Sequence, residues 1–325
     1  MAQDKWFIGI DLGGTKIGTG LVDTQGGVKA SDYRPTKAVK GRDAVIQRIV
    51  KATHEVMREA GIAPSDVSGI GIGAPGPLDI AKGILTEPPN LPGWRDVPLK
   101  GIIEDAMGIS TVLENDANAA AIAEYLYGAG KGTRDMIYVT VSTGIGGGLI
   151  LNGQIYHGAH GGAGEVGHMT ILPDGPLDGC GNRGCLEALA SGTAIALAGR
   201  ELVEHGVPTL IAELAEGDPE GISAKIVVEA MHKGDAYATE IVSSAMRYLG
   251  IGMANLVNLF NPEMIVIGGG LSHLGDLLLG PVRRGIDRHA FQTHARQVVV
   301  TLAQLGDRVG IVGAAGAAMV ASRQA

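Results

Sequence analysis

The stretch "KWFIGIDLGGTKIGTGLVD", Lys5 to Asp23, sets the fold class. "KWFIGID" is a short apolar run that ends in an acid and is followed at once by Gly13 and Gly14, so it reads as a buried strand entering a tight turn. "KIGTGLVD" leaves that turn as a second strand. "VKASDYR", Val28 to Arg34, continues as a third, giving a β-meander. The pattern recurs in "MIYVTVSTGIGGGLILNGQIY", Met136 to Tyr156, again strand, Gly-rich turn, strand. Two such units hint at an internal duplication.

The intervening segments alternate in period. From Gly41 to Gly61, apolar residues at Val45, Ile46, Ile49, Val50, Val56 and Met57 have helical spacing, stopped by Gly61 and then Pro64. "VSGIGIGAPGP" (Val67 to Pro77) reads as a buried strand. "STVLEND" reads as a strand feeding the Ala-rich helix of "ANAAAIAEYLYGAG". A helical stretch is expected from about Ser191 to Phe260. "EMIVIGGGLS" (Glu263 to Ser272) and "RQVVVTLAQL" read as late strands, and a small-residue helix closes the chain.

Composition narrows the function classes. With 325 residues and 45% hydrophobic content the chain is a folded globular protein, large enough for two domains. The net charge is −8 and there is no Lys/Arg run long enough to follow a phosphate backbone, so nucleic acid is not an expected partner. The most apolar tail, Val309 to Val320, is too short to span a bilayer, so no membrane partner is expected. The first residues lack the pattern of a signal peptide, and the two cysteines, Cys180 and Cys185, form no disulfide framework; the expected location is the cytoplasm.

The glycines carry the chemistry. There is no GxxxxGK[ST], and "GIGAPG" (Gly71 to Gly76) fails as a dinucleotide fingerprint because Pro75 and Pro77 hinder the helix that must follow. "DLGGTK" joins strand to strand, where Gly13 and Gly14 would let backbone N–H groups approach an anion and Thr15 offers a hydroxyl. "STGIGGG", with Thr143, Gly144 and Gly146, is a second such turn, and the glycines around Gly269 a third. Each alone also fits a plain hairpin.

"DLGGTK", "ENDANAAA" (Glu114 to Ala121), "STGIGGG", "GEVGH" (Gly164 to His168) and "CGNRGCLE" (Cys180 to Glu187) together resemble the ROK family of repressors, uncharacterised frames and sugar kinases. Their order and spacing are most similar to those of bacterial ATP-dependent glucokinases, over nearly the whole chain. The resemblance implies an α/β protein of actin-like, ribonuclease-H-like fold, two domains closing on ATP and a sugar. The expected domains are 1–117 with 310–325, and 118–309.

A kinase acting on a hydroxyl needs a base, a phosphate cradle, a metal and a closing cleft. Asp116 sits where a helix should start and reads equally as an N-cap; the resemblance makes it the catalytic base toward the primary hydroxyl of glucose. Asn115 becomes a sugar ligand whose amide offers both donor and acceptor. Glu165 and His168 form the family's ExGH sugar motif. Glu187 is a further sugar contact, and Asn90, in "PPNLPGW", another or a simple turn residue. Asp11 is the acid that organises Mg²⁺, and Lys16 either steadies phosphate or is a surface lysine. Other hexoses (N-acetylmannosamine, mannose, fructose, allose) fit the same motifs. A sugar-sensing repressor carries a helix-turn-helix ahead of this fold, which is not expected with a first strand near residue 6. Assembly as a homodimer or homotetramer is expected from the resemblance.

Family members carry one zinc on one His and three Cys, spaced H-x9-C-x-C-x4-C. His168, Cys180 and Cys185 match, but Asp178 stands at the first Cys. Either zinc persists on a His-Asp-Cys-Cys set, with one imidazole nitrogen of His168 on the metal and the other toward the sugar, or the Asp marks a lost site.

Overall fold

The structure, a computed structural model, describes residues 5–324. It divides into two compact units: residues 1–138, 148–164 and 303–325, and residues 139–147 and 165–302.

The first unit opens on the expected meander, β1 (Trp6–Leu12), β2 (Lys16–Asp23) and β3 (Val28–Pro35). The helix α1 (Arg42–Ala60) ends where Gly61 takes a left-handed φ of 67°. β4 (Val67–Ala74) follows, then the two-residue strands β5 (Leu78–Asp79) and β6 (Ile84–Leu85), α2 (Leu99–Met107), β7 (Thr111–Asn115) and α3 (Asp116–Tyr127). The sheet order is β3-β2-β1-β4-β7, with β1, β4 and β7 parallel. No helix follows β4 directly, in keeping with the rejection of "GIGAPG" as a dinucleotide turn.

Alternation along β1 explains its two covers. Ile8, Ile10 and Leu12 pack with Val45 and Ile49 of α1, while Phe7 packs with Ile311 and Ala315. The latter belong to α11 (Val309–Gln324), the small-residue helix, which lies against β1 and β4. Gly9 and Gly71 are register partners, and a Cβ on either would overlap a carbonyl of α11, at Ile311 and Ala314. Only glycine lets the helix backbone approach the strands this closely.

The second unit is mainly helical. The helical stretch expected over 191–260 is four helices: α5 (Gly192–Glu204), α6 (Leu210–Leu214), α7 (Ala224–His232) and α8 (Ala236–Phe260), preceded by α4 (Leu186–Ala190). Its breaks have polar caps. Buried Asp235 caps α8 through the Ala238 N–H at 2.7 Å and binds the Thr209 hydroxyl at 2.7 Å. β11 (Met264–Gly268), α9 (Asp276–His289), α10 (Gln292–Ala295) and β12 (Val299–Leu302) complete it.

The second sheet runs β10-β9-β8-β11-β12, where β8 is Met136–Val141, β9 Ile145–Leu151 and β10 Gln154–Ile155. Both sheets therefore share one order, third-second-first-fourth-fifth, the actin-like, ribonuclease-H-like arrangement implied by the sequence and the topological form of the suspected duplication.

The unit boundaries fall elsewhere than the expected 117/118 division. α3 stays with the first unit because it packs on α11: a Cβ at Gly313 would overlap the Ala119 carbonyl. Buried Glu124 of α3 also accepts hydrogen bonds from the Gln304 and Leu305 N–H groups, each at 2.9 Å. Among the described residues no helix is long and apolar enough to cross a membrane.

Candidate active site

In the first unit the site is the corner between β7 and α3. Asn115, with extended backbone, is the N-cap: its Oδ1 accepts from the Ala117 N–H at 2.9 Å and the Asn118 N–H at 3.2 Å. The capping role open to Asp116 therefore falls to its neighbour. Asp116 is the first helical residue, exposed, with one carboxylate oxygen 2.7 Å from the Ala117 N–H. The positive end of the helix favours its ionised form. The same geometry corrects the expectation for Asn115. Its oxygen is engaged by the helix, so only the Nδ2 donor is left for a ligand.

The turn at 12–16 also differs from expectation. The Gly13 N–H is not open to an anion, because it closes the hairpin on the Lys16 carbonyl at 3.0 Å. Gly14 is required for a different reason: a Cβ there would overlap the backbone and Cβ of Asn90. The loop carrying exposed Asn90 thus rests on this turn. Thr15 is exposed, and its carbonyl accepts from the Thr36 N–H at 2.7 Å. The Lys16 ammonium lies 4.1 Å above the Tyr33 ring. Burial pushes the Asp11 carboxyl above its ordinary value, against the pull of Lys16. A cation beside Asp11 would reverse that balance.

In the second unit Glu165 precedes a single 3₁₀ turn, Val166–His168, and both Glu165 and His168 are exposed. Gly167 has no room for a side chain, since a Cβ would overlap the Ile145 carbonyl. Glu187, in the first turn of α4, reaches the same residue: its Oε2 accepts from the Ile145 N–H at 2.6 Å. Gly144 must be glycine for this bond, because its Cβ would overlap that oxygen. One Glu187 oxygen is therefore committed to the "STGIGGG" turn and the other is left for a ligand.

That turn borders a cavity of about 700 Å³ lined by Ser142, Thr143, Thr193, Arg200, Lys225 and Leu274, among others. The Thr143 carbonyl accepts from the Thr193 hydroxyl at 2.8 Å, docking the turn on α5. Gly146 lies in β9. Gly269 takes φ 84°, and a Cβ there would overlap the Val141 carbonyl. Gly270 beside it lines the cavity. Thr193, Arg200, Lys225 and Leu274 had no motif to mark them; the first three meet through the packing of α5 and α7, and Leu274 joins them from the 3₁₀ turn Gly270–Leu274.

His168, Asp178, Cys180 and Cys185 converge, with one ligand atom from each lying within 4.8 Å of the others. Two sulfurs each ~2.3 Å from a tetrahedral ion stand ~3.8 Å apart; here the Sγ atoms are 3.7 Å apart. A nitrogen and an oxygen each ~2.1 Å from such an ion stand ~3.4 Å apart; here His168 Nδ1 and Asp178 Oδ2 are 3.2 Å apart. The residues fit zinc. Asp178 is buried. Burial raises its carboxyl while hydrogen bonds from Cys180 and the charge of His168 lower it, and the lowering wins. The buried Cys185 thiol is pushed up to about 12, first by desolvation and then by Cys180 and Asp178, the protonated state that a bound cation displaces.

Comparison with known proteins agrees with this arrangement. The model of the ROK family matches residues 7–321. A glucokinase of Halalkalibacterium halodurans is 38% identical over 314 residues, 96% of this chain and 94% of that protein. A putative xylose repressor of Caldicellulosiruptor sp. is 36% identical, over 94% of this chain and 76% of the repressor. The ROK family glucokinase of Streptomyces griseus, solved with glucose and AMPPNP, superposes with a TM-score of 0.80 at 36% identity, covering 98% of this chain and 100% of that one. With two sheets of one order, the ExGH turn and the His-Asp-Cys-Cys cluster all in place, the chain belongs to the ROK family.

Proposed function

We propose that this protein transfers the γ-phosphoryl group of ATP to the primary hydroxyl of glucose. The observation that carries the reading is Asp116, exposed at the first position of α3 and relieved of capping by Asn115. A carboxylate at the exposed start of a helix is suited to take a hydroxyl proton as the hydroxyl attacks phosphorus. Asn115 Nδ2 donates to a sugar oxygen, while Glu165 and the unengaged oxygen of Glu187 accept from sugar hydroxyls. Asn90 is a further sugar contact. The glucokinase relative and the glucose-bound neighbour support the choice of sugar and donor.

ATP occupies the cavity beside Thr143, with "STGIGGG" and the Gly269 turn facing its phosphates. Asp11 would hold Mg²⁺, which would supply positive charge beside the phosphates. His168 Nδ1, Asp178, Cys180 and Cys185 would hold zinc, which would supply structure, with His168 Nε2 left for a sugar hydroxyl and its tautomer fixed. The protein self-associates as a dimer or tetramer, a reading supported by Leu259 and Phe291, apolar residues 72% and 66% exposed on either side of the Asn258–Phe291 hydrogen bond. Light scattering at micromolar concentration tests this, and a monomer refutes it.

The deciding experiment is an ADP-release assay across glucose, mannose, fructose, allose and N-acetylmannosamine. Glucose should give the highest kcat/KM. A higher value for another hexose overturns the substrate, and no sugar-dependent ADP release overturns the activity.

A further inference from the structure

We infer that Glu114 and His157 are a positioning pair for the catalytic corner, a role that rests on the function proposed above. Neither residue belongs to the sugar, phosphate or metal sets. Glu114 is 5% exposed, at the end of β7 directly before Asn115. A buried carboxylate persists only if its oxygens are occupied, and here three donors reach it. Its Oε1 accepts from the Asn115 N–H at 2.9 Å and from Asn118 Nδ2 at 2.9 Å. Its Oε2 is 2.8 Å from His157 Nε2. One carboxylate thus grips the N-cap residue and the first turn of α3, bracketing Asp116 on both sides in sequence.

His157 is the matching partner. Its hydrogen bond with Glu114 raises its pKa above the ordinary imidazole value despite burial, and protonation makes the contact a charge-assisted hydrogen bond. His157 lies two residues past the end of β10 and opens a loop that the Ala163 N–H closes on the His157 carbonyl at 3.0 Å. The pair therefore fixes two things together: the corner that presents Asn115 and Asp116, and the loop that runs into Gly164 and Glu165. No other cation is hydrogen-bonded to Glu114 among the described residues. The pair forms part of the wall of a cavity of about 680 Å³ on the α11 side of the unit, lined also by Lys100, Tyr125 and Arg323.

The test compares wild type with His157→Ala, His157→Gln and Glu114→Gln. A glutamine at 157 restores an N–H donor of similar reach without the charge. Small misplacements of reacting groups are expensive, so His157→Ala should lower kcat/KM for glucose ~10- to 100-fold. The loss should appear in both kcat and the glucose KM, with the ATP KM within about twofold of wild type. His157→Gln should recover most of the loss. Glu114→Gln should resemble His157→Ala. A merely structural pair would lower the active fraction and melting temperature and leave both KM values unchanged, and that result overturns the inference. Hydrogen exchange on the ligand-free proteins gives a reading independent of turnover. The Ala117 and Asn118 amides should exchange about tenfold faster in His157→Ala, and unchanged exchange overturns the positioning role. A wild type inactive on every sugar refutes the proposed function, while the exchange result still decides the pair.

Discussion

The corner around Asn115 and Asp116 and the loop around His168, Asp178, Cys180 and Cys185 are organised in opposite ways. In the first, every holding contact is internal. A side-chain cap, a buried carboxylate and a histidine satisfy one another beside exposed Asp116. In the second, two thiols, a carboxylate and an imidazole crowd together, and burial pushes the Cys185 thiol up to about 12. The first half is preorganised by the chain's own hydrogen bonds; the second, on the proposed zinc site, would need an ion to complete it. The two halves of one function should then fail under different insults.

The largest contrast is expected in chemistry. Asp116→Asn should reduce kcat ~10²–10⁴-fold while changing the glucose affinity far less and leaving the melting temperature near wild type. A stability loss with normal kcat would return Asp116 to a structural role. Next is metal removal, which should strike only the second half. Stripping zinc with a chelator, or Cys185→Ser, should raise the glucose KM ~10- to 100-fold. Metal analysis should find about one zinc per chain, and Asp178→Cys should strengthen resistance to chelators because a soft thiolate replaces a carboxylate. If metal-free protein binds glucose as tightly as untreated protein, by calorimetry, the second half needs no ion and the contrast collapses.

A smaller effect separates Glu187 from a pure sugar ligand. In Gly144→Ala the new methyl displaces the Glu187 oxygen from the Ile145 N–H. Steady-state kinetics should show both ATP and glucose KM rising, each by about tenfold. A rise for glucose alone would mean that the bond does not shape the donor turn. The smallest expected change is Asn115→Ala, read by denaturant unfolding. Loss of the cap should cost about 1 kcal/mol, with a sugar KM effect from the lost Nδ2 donor.

The sheets, α1 and the closing helix were legible because alternation, helical period and Gly stops are local signals. The sites were legible as sets of residues, since "GEVGH", "ENDAN" and the His-Asp-Cys-Cys spacing are short. What each residue's atoms do was not. Whether Asn115 or Asp116 caps α3 depends on one residue of helix register, and the motif reads alike either way. That Gly13 spends its N–H on the Lys16 carbonyl depends on the exact closure of the hairpin, and that Gly14 makes room for Asn90 rather than for phosphate depends on a loop more than seventy residues away. Glu114 and His157 are 43 positions apart, and neither stands out until the fold joins them. The breaks within 191–260 were missed although Gly206, Pro208, Gly217, Pro219 and Gly234 mark them locally; the caps that divide the segment, such as Asp235, act through Thr209 and Leu210.

The glycine strip of Gly9 and Gly71 under α11 bears on how the chain is made. β1 leaves the ribosome long before α11, which packs on one of its faces. Phe7 and Val22 lack the part of their cover that residues 311–319 supply until that helix emerges. At a synthesis rate of roughly 5–20 residues per second, that interval is on the order of tens of seconds. Throughout it part of the first sheet's apolar surface lacks its final cover, a window in which a chaperone competes with aggregation for that surface.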